Sequence, residues 1–388
     1  MSDHVAARRA VAIAFIFNGF VFATLVSRLP DVRDDLSLTN GGLGLLLFSS
    51  ALGSVLALPA SGRLIERWGA ATVVRAGAFL VAASLLAGAA GTAVPSVVVV
   101  AVGLFGYGVG TSVWDVAMNV EGAAVEQGLG RTIMPRFHAG FSLGTVAGAG
   151  LGIPVTALGV PMLVHWGVVG VLSCLLVVRE ASDFLPVRPP DPDRPAGRSA
   201  WREPRTLAIG LMVLGFATAE GAANDWLTLA LIDGHDARHW VGVVGLSVFV
   251  SAMTLGRLLG PIVLDRFGRA PVLWATSVAA AAGILLVVLA GHWLVVGVGI
   301  AVWGLGASLG FPVGMSAAAD DPRRAAARVS VVSTLGYAAF LAGPPLVGQL
   351  ADRVGTLESL LAIAALMVPA ALAVFAVRRP GRDSRAPV

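Results

Sequence analysis

SGRLIERWG fills residues 61–69, and 199 positions downstream the chain repeats the pattern as GPIVLDRFG, residues 260–268. Glu66 corresponds to Asp265, Arg67 to Arg266, Trp68 to Phe267 and Gly69 to Gly268. Each copy ends one long apolar run and precedes another, so two stretches of chain share one design. The correspondence extends outward: GYGVGTSVW from Gly106 answers GLGASLGFP from Gly304 at an offset of 198, and GFSLGTVAGAG from Gly140 answers GYAAFLAGPP from Gly336 at 196. A third echo, GQLADRVG at 348–355, falls at the opposite ends of its spans.

Hydrophobic residues make up 56% of the 388 and charged residues only 13%, with the apolar residues in blocks rather than at the one-in-three spacing of soluble helices. A membrane-crossing helix needs roughly 20 such residues. Twelve blocks qualify, at 11–28, 41–62, 71–92, 96–120, 134–157, 160–178, 206–231, 240–262, 271–290, 293–316, 328–349 and 357–377. The stretch REASDFLPVRPPDPDRPAGRSAWREPR (179–205) is too rich in proline and charge to bury a core and reads as a linker. The sequence therefore predicts an all-α membrane protein: twelve transmembrane helices in two pseudo-symmetric six-helix bundles, 1–180 and 205–388, joined by a linker over 181–204. Parallel six-helix repeats in a membrane point to a secondary transporter with its substrate site between the halves.

All 27 basic side chains are arginine. Twenty-two fall in segments on one side; Arg28, Arg33, Arg238 and Arg353 fall on the other, and Arg257 lies within a span. The positive-inside rule then places both termini in the cytoplasm, and the first span, behind Arg8 and Arg9, reads as an uncleaved helix rather than a signal peptide. The net charge of +4 reports this asymmetry, so nucleic acid is not an expected partner. Cys174, the single cysteine, sits inside the sixth span, which excludes a disulfide framework and a thiolate metal site. Without lysine there is no phosphate-binding Gly-x-x-x-x-Gly-Lys loop, and GLFGYGVG lies inside a span with no strand before it. No cofactor, no metal and no enzyme chemistry are expected.

The loop at 62–69 resembles that of the major facilitator superfamily, Gly-x-Leu-x-acid-Arg-x-Gly, in Gly62, Leu64, Glu66, Arg67 and Gly69, with Ala70 where a final basic residue is usual. The second copy keeps Asp265, Arg266, Gly268 and Arg269 but has Pro261 in place of the first glycine. DVAMNVEGAAVEQGLGRTIMPRFHAGFSLG and AEGAANDW are similar to a bacterial branch of that superfamily that includes the rhizopine-locus membrane protein and its enterobacterial inner-membrane relatives. The resemblance spans the chain and implies rocker-switch alternating access, with little about cargo. In the loops, the glycines permit close helix approach, and the acid and arginine can pair across an inner gate, favouring the outward-open state.

Polar residues inside spans mark the candidate site, because an ion in hydrocarbon costs several kcal/mol. Asp115 and Asn119 lie one helical turn apart in the fourth span; a rise of roughly 1.5 Å per residue puts Asp115 near the cytoplasmic edge, level with His138 of the fifth. The two can act as a proton-linked pair or as a static hydrogen bond. The repeat counterpart of Asp115 is Val313, so the acid is no part of the shared scaffold. In the seventh span Glu220 and Asn224 share a face, with Glu220 somewhat beyond the midplane and Asp225 at the outer mouth. Arg28 at the end of the first span can pair with Asp225 or Glu220 when that mouth is shut, or snorkel to headgroups. Asn18 can line the cavity, with Trp303 and Phe311 as apolar walls; Arg257 is expected to snorkel or to buttress the Asp265 loop, and His165 to end a helix. Gly144, Gly148 and Gly152 form a period-four stripe suited to helix contact.

The resulting expectation is a multi-pass protein of the bacterial inner membrane, monomeric in the lipid bilayer, moving a small polar or amphiphilic solute with protons as coupling ion. A drug or metabolite exporter of the same fold, and a non-transporting receptor or scaffold, are the alternatives.

Overall fold

The computed structural model describes residues 2–38, 40–186, 199–237 and 239–378. Arg188, Arg194, Arg198, Arg238, Arg379, Arg382 and Arg385, and the linker over 187–198, lie outside the described residues. The first half comprises α1 (Ser2–Val26), α2 (Leu29–Asp35), α3 (Asn40–Trp68), α4 (Ala70–Ala93), α5 (Val97–Leu129), α6 (Met134–Ala157) and α7 (Met162–Glu180). The second comprises α8 (Pro204–His235), α9 (His239–Phe267), α10 (Arg269–Leu289), α11 (Trp293–Ala307), α12 (Gly310–Ala318), α13 (Ala325–Val354) and α14 (Thr356–Ala373). Counting α11 and α12 as one interrupted span, twelve helices among the described residues are long and apolar enough to cross a membrane, as the sequence predicts. Apolar side chains such as Leu45, Val98 and Leu294 stand 76%, 72% and 74% exposed on the outer faces, where lipid rather than water covers them at no cost.

The repeat has a backbone signature. Helices α3 and α9 are each 29 residues long and end at Gly69 and Gly268, whose φ angles of 78° and 80° lie in the region that favours glycine. The chain then turns directly into α4 and α10. The third echo repeats the device, with Gly355 at φ 98° between α13 and α14.

One end of the bundle gathers both termini and the linker. Arg9 of α1 pairs with Glu180 at 3.1 Å and Asp183 at 2.9 Å. Arg205 of α8 donates to the Ala376 carbonyl near the other terminus at 3.0 Å. The linker docks on both halves: the Leu185 amide donates to Glu121 at 2.6 Å, and Glu203 accepts from Arg328 at 2.7 Å and pairs with Arg324. Burial alone would raise the Glu203 pKa, but hydrogen bonds from Arg328 and Thr206 and the charge of Arg324 hold it below the usual value. This is called the linker end below, and the opposite one the far end.

Two differences from the sequence reading reposition the site. Helix α5 continues nine residues past the expected boundary at 120, to Leu129. Its 33 residues span roughly 50 Å, so Asp115 stands in the middle of the helix rather than near an edge. Glu220 is likewise mid-helix in α8, which runs 32 residues. The sequence placed the boundary where Glu121 and Glu126 begin to interrupt the apolar run, yet both carboxylates are buried and satisfied by protein donors.

The second difference is the break between α11 and α12. Proline at 312 has no N–H for the carbonyl of Ser308, and its ring crowds that carbonyl, so the helix parts at Ser308 and Leu309. The Ser308 carbonyl is released as an acceptor. Within the first half, the Gly144, Gly148 and Gly152 stripe of α6 lies against α1: a Cβ at these positions would run into the Ile16 carbonyl, the Phe20 carbonyl and the Ser27 side chain.

Candidate functional site: a polar layer on the seam

Midway along the seam between the halves, Arg257 of α9 is 4% exposed and fully engaged. Its Nη2 donates to Glu220 Oε2 of α8 at 2.8 Å, its Nε to the released Ser308 carbonyl at 3.3 Å, and its Nη1 to Ser142 Oγ of α6 at 3.0 Å. Two of these partners belong to the second half and one to the first, so the guanidinium bridges the seam. The expectation that Arg257 snorkels or buttresses the Asp265 loop is thus corrected. Its partners lie 37, 51 and 115 positions away in the chain, which no local pattern reveals.

One turn along α6 from Ser142, His138 begins a second chain of contacts. His138 Nε2 lies 3.2 Å from Asn119 Oδ1, and Asn119 Nδ2 reaches Asp115 Oδ1 at 3.3 Å and the Asp115 carbonyl at 2.9 Å. Asp115 and His138 therefore communicate through Asn119 rather than touching, because Asn119 projects between them from the same face of α5. Aromatic rings wall this chain: Phe15 of α1 and Phe311 of α12 stand edge-on to the His138 ring at centroid distances of 5.0 and 5.6 Å, and Phe311 meets Tyr337 of α13 at 6.3 Å. Tyr337 in turn approaches Asp115 across the seam.

Glu220 has its cation in Arg257, whereas Asp115 has no ion-pair partner among the described residues. Asp115 Oδ2, the Tyr107 hydroxyl and Asn18 Nδ2 are also buried without a hydrogen-bond partner among the described residues. Such groups are uncommon in folded proteins and call for an explanation. Both tyrosines of the chain, Tyr107 and Tyr337, thus belong to this layer, which the sequence reading did not include.

The remaining candidates lie elsewhere. Asn224 and Asp225 are exposed toward the far end, and Asp225 lines a shallow groove between α8 and α13 with Thr218, Trp226 and Val347. Arg28 pairs with Asp31 at 2.6 Å and donates to the Val160 carbonyl at 3.0 Å; it meets neither Glu220 nor Asp225 in this conformation. Trp303 is buried against Phe249 within the second half, and His165 is buried near Arg28.

At the linker end the halves close on each other. A Cβ at Gly62 of α3 would lie 2.9 Å from the Ala326 carbonyl of α13, so the glycine permits that contact, and Ser330 donates to the Leu58 carbonyl at 2.6 Å. Asp265 accepts the Thr132 amide across the seam at 3.1 Å. Glu126 of α5 accepts the Ile133 and Met134 amides, each at 2.8 Å, and meets Ser316 and Arg269 of the other half. Arg269 continues to Asp320 at 2.7 Å, and Asp320 to Arg205 at 2.6 Å. Glu66 and Arg67 are exposed and make no ion pair among the described residues, while Arg266 lies 5.3 Å over the Phe267 ring. Glu126, Asp320 and Arg205 were not expected here: they follow no repeat motif, and only the fold joins them.

Two six-helix repeats that meet at a buried polar layer, with contacts across the seam at one end, define a membrane transporter of the two-domain kind. The Major Facilitator Superfamily family model matches residues 11–263 and 239–388, and the chain belongs to that superfamily, whose members are transporters rather than enzymes. Among its relatives are an uncharacterized MFS-type transporter of Yersinia pestis, 30% identical over 95% of this chain and 94% of that one, and the uncharacterized transporter y4wD of Sinorhizobium fredii, 31% identical over 89% and 91%. Membrane protein MosC of Rhizobium meliloti is 27% identical over 94% and 88%. The fold is similar to that of FucP in its outward conformation, with a TM-score of 0.83 at 15% identity, covering 97% of this chain and all of that one. It is also similar to the proton:xylose symporter XylE, with a TM-score of 0.72 at 12% identity over 96% and 95%.

Proposed function

We propose that this protein is a monomeric secondary transporter of the bacterial inner membrane, moving a small polar or amphiphilic solute by alternating access with protons as the coupling ion. The carrying observation is the Arg257 guanidinium, held by Glu220 on its own half and by Ser142 on the other. A buried charge bound to both halves must exchange partners whenever they tilt, so their relative position is linked to the charge state of the layer. Asp115 supports protons as the driver, because a proton there removes a charge that no neighbouring cation balances. Asn119 and His138 offer a path for that proton along α5 and α6. FucP of E. coli and XylE are proton symporters of fucose and xylose, and both share the fold.

The arginine asymmetry puts the linker end in the cytoplasm, so the conformation described is closed to the cytoplasm. Arg28 and Asp225 then lie near the periplasmic mouth, positioned to pair when the mouth shuts. Gly62, Asp265 and Arg269 contribute to the cytoplasmic closure, whereas Glu66, Arg67 and Arg266 make no ion pair across it among the described residues. The test is solute-driven proton movement in proteoliposomes, with the solute found by a thermal-shift screen of metabolites. Glu220→Gln and Asp115→Asn each abolish coupled proton movement; coupled movement at the wild-type rate in both variants refutes the proposal.

A further inference from the structure

Beside the seam contacts, the linker end holds a cavity of about 540 Å³, whose wall includes Glu126 and Arg269 of the closure. Gln127 and Arg131 line it from the first half; Arg205, Arg269, Asp320 and Arg328 line it from the second, and Glu126, Asp321, Gly130 and Pro322 complete the wall. Its volume falls within the range of small-molecule sites, roughly 300–1,000 Å³.

Hydrogen-bond capacity decides what the cavity can take. Four guanidinium groups supply about twenty N–H donors, and three carboxylates offer about twelve acceptor positions. Those acceptors are already shared. Glu126 takes the Ile133 and Met134 amides and Ser316, and Asp321 takes the Arg323 amide. Asp320 is held by Arg205 on one oxygen and Arg269 on the other. Arg131 is exposed and has no carboxylate partner among the described residues. Arg205, Arg269 and Arg328 are engaged as well, with Asp320, Ser316 and Glu203, so the wall carries four cations against three carboxylates and the uncompensated one is Arg131. The complementary ligand carries several oxygens and a negative charge in a small volume, which is the chemistry of a phosphate group.

We propose that this cavity binds a dissolved phosphate-bearing anion from the cytoplasm and that, because Arg131 and the other three arginines belong to opposite halves, the bound anion holds the linker end shut. The site then regulates the transporter without being its substrate site: a ligand that binds one conformation better shifts the population toward it.

Pyrophosphate serves as the probe, with the purified full chain in neutral detergent and sodium chloride matched for ionic strength. Calorimetry is expected to show saturable binding that weakens about ten-fold in Arg131→Gln and recovers in part in Arg131→Lys. Arg63→Gln, an exposed position on α3 outside the cavity, leaves the affinity unchanged. Spin labels at positions 67 and 266 are expected to show a narrowed distance distribution on adding the probe. Heat equal to that of matched sodium chloride, equal affinity in Arg131→Gln, or an unaltered distance distribution overturns the proposal. So does probe binding that persists in nanodiscs of neutral lipid but vanishes in nanodiscs containing phosphatidylglycerol, since that result gives the cavity to a lipid headgroup.

Discussion

Replacing either member of the Arg257–Glu220 pair should cost far more than replacing both. The two side chains are 5% and 16% exposed and meet at 2.8 Å, which makes this a buried pair rather than a screened one. Removing one partner of such a pair costs roughly 3–5 kcal/mol, because the other charge is left desolvated. Arg257→Met strands the Glu220 carboxylate and takes a donor from the Ser308 carbonyl, worth about 1 kcal/mol more. Glu220→Leu leaves the guanidinium with two neutral oxygens, on Ser142 and Ser308. With about 3 kcal/mol for each single change, additivity gives about 6 for the double variant. Apolar replacement of a whole buried pair is often close to neutral, so Arg257→Met/Glu220→Leu should lose only about 1–2 kcal/mol. The expected coupling is therefore about 4 kcal/mol, read by denaturant unfolding of the purified protein with fluorescence from its nine tryptophans. The double variant should be inactive in transport yet more stable than either single one. A double-variant loss equal to the sum of the single losses, within about 0.5 kcal/mol, would refute the assignment of a coupled buried pair.

Asn119→Ala removes the link between Asp115 and His138 and leaves buried polar groups unpaired; it should cost about 1–3 kcal/mol and slow proton-coupled uptake, and unchanged uptake would remove Asn119 from the path. Gly144→Val drives a side chain into the Ile16 carbonyl of α1 and should lower the unfolding temperature, whereas Gly150→Val, where a Cβ meets nothing within 4 Å, should not. Glu126→Gln weakens the junction among Met134, Ser316 and Arg269, so labels at positions 67 and 266 should separate more often than in the wild type; an identical distribution would deny Glu126 a closing role. Glu203 has a lowered folded-state pKa, so its contribution is present above the unfolded-state value and is lost as pH falls through the folded one. The stability gap between wild type and Glu203→Gln should therefore shrink on acidification below about pH 4, and a gap independent of pH would contradict the Arg324 and Arg328 pairing.

The fold was legible because membrane helices announce themselves by length and because the repeated loop at 61–69 and 260–268 fixed the number of halves. The same loop revealed its backbone: Gly69 and Gly268 occupy equivalent φ values, as two copies of one turn must. Site depth was misread for a physical reason. Hydropathy cannot distinguish a carboxylate that ends a span from one satisfied inside the protein, and Glu121 and Glu126 are of the second kind. The role of Arg257 was hidden because its partners come from two other helices and from the break between α11 and α12. One clue was present and unused: Pro312 predicts a released carbonyl at Ser308, and a released carbonyl inside a membrane protein needs a donor nearby. The inner closure shows a similar limit. Motif residues Glu66 and Arg67 stand exposed, and the contacts of Gly62 and Asp265 across the seam are joined by that of Glu126, which belongs to no repeat motif.

The most direct test of alternating access follows the two ends of the bundle together. Spin labels at positions 67 and 266 report the linker end, and labels at 158 and 289, where Leu158 and Leu289 are 80% and 71% exposed at the far end, report the other. Adding the solute identified by thermal shift, at pH values that bracket proton uptake, should lengthen the first distance as the second shortens. If the solute binds while both distances lengthen together, or while neither changes, the halves do not rock about the Arg257 layer and the account is wrong.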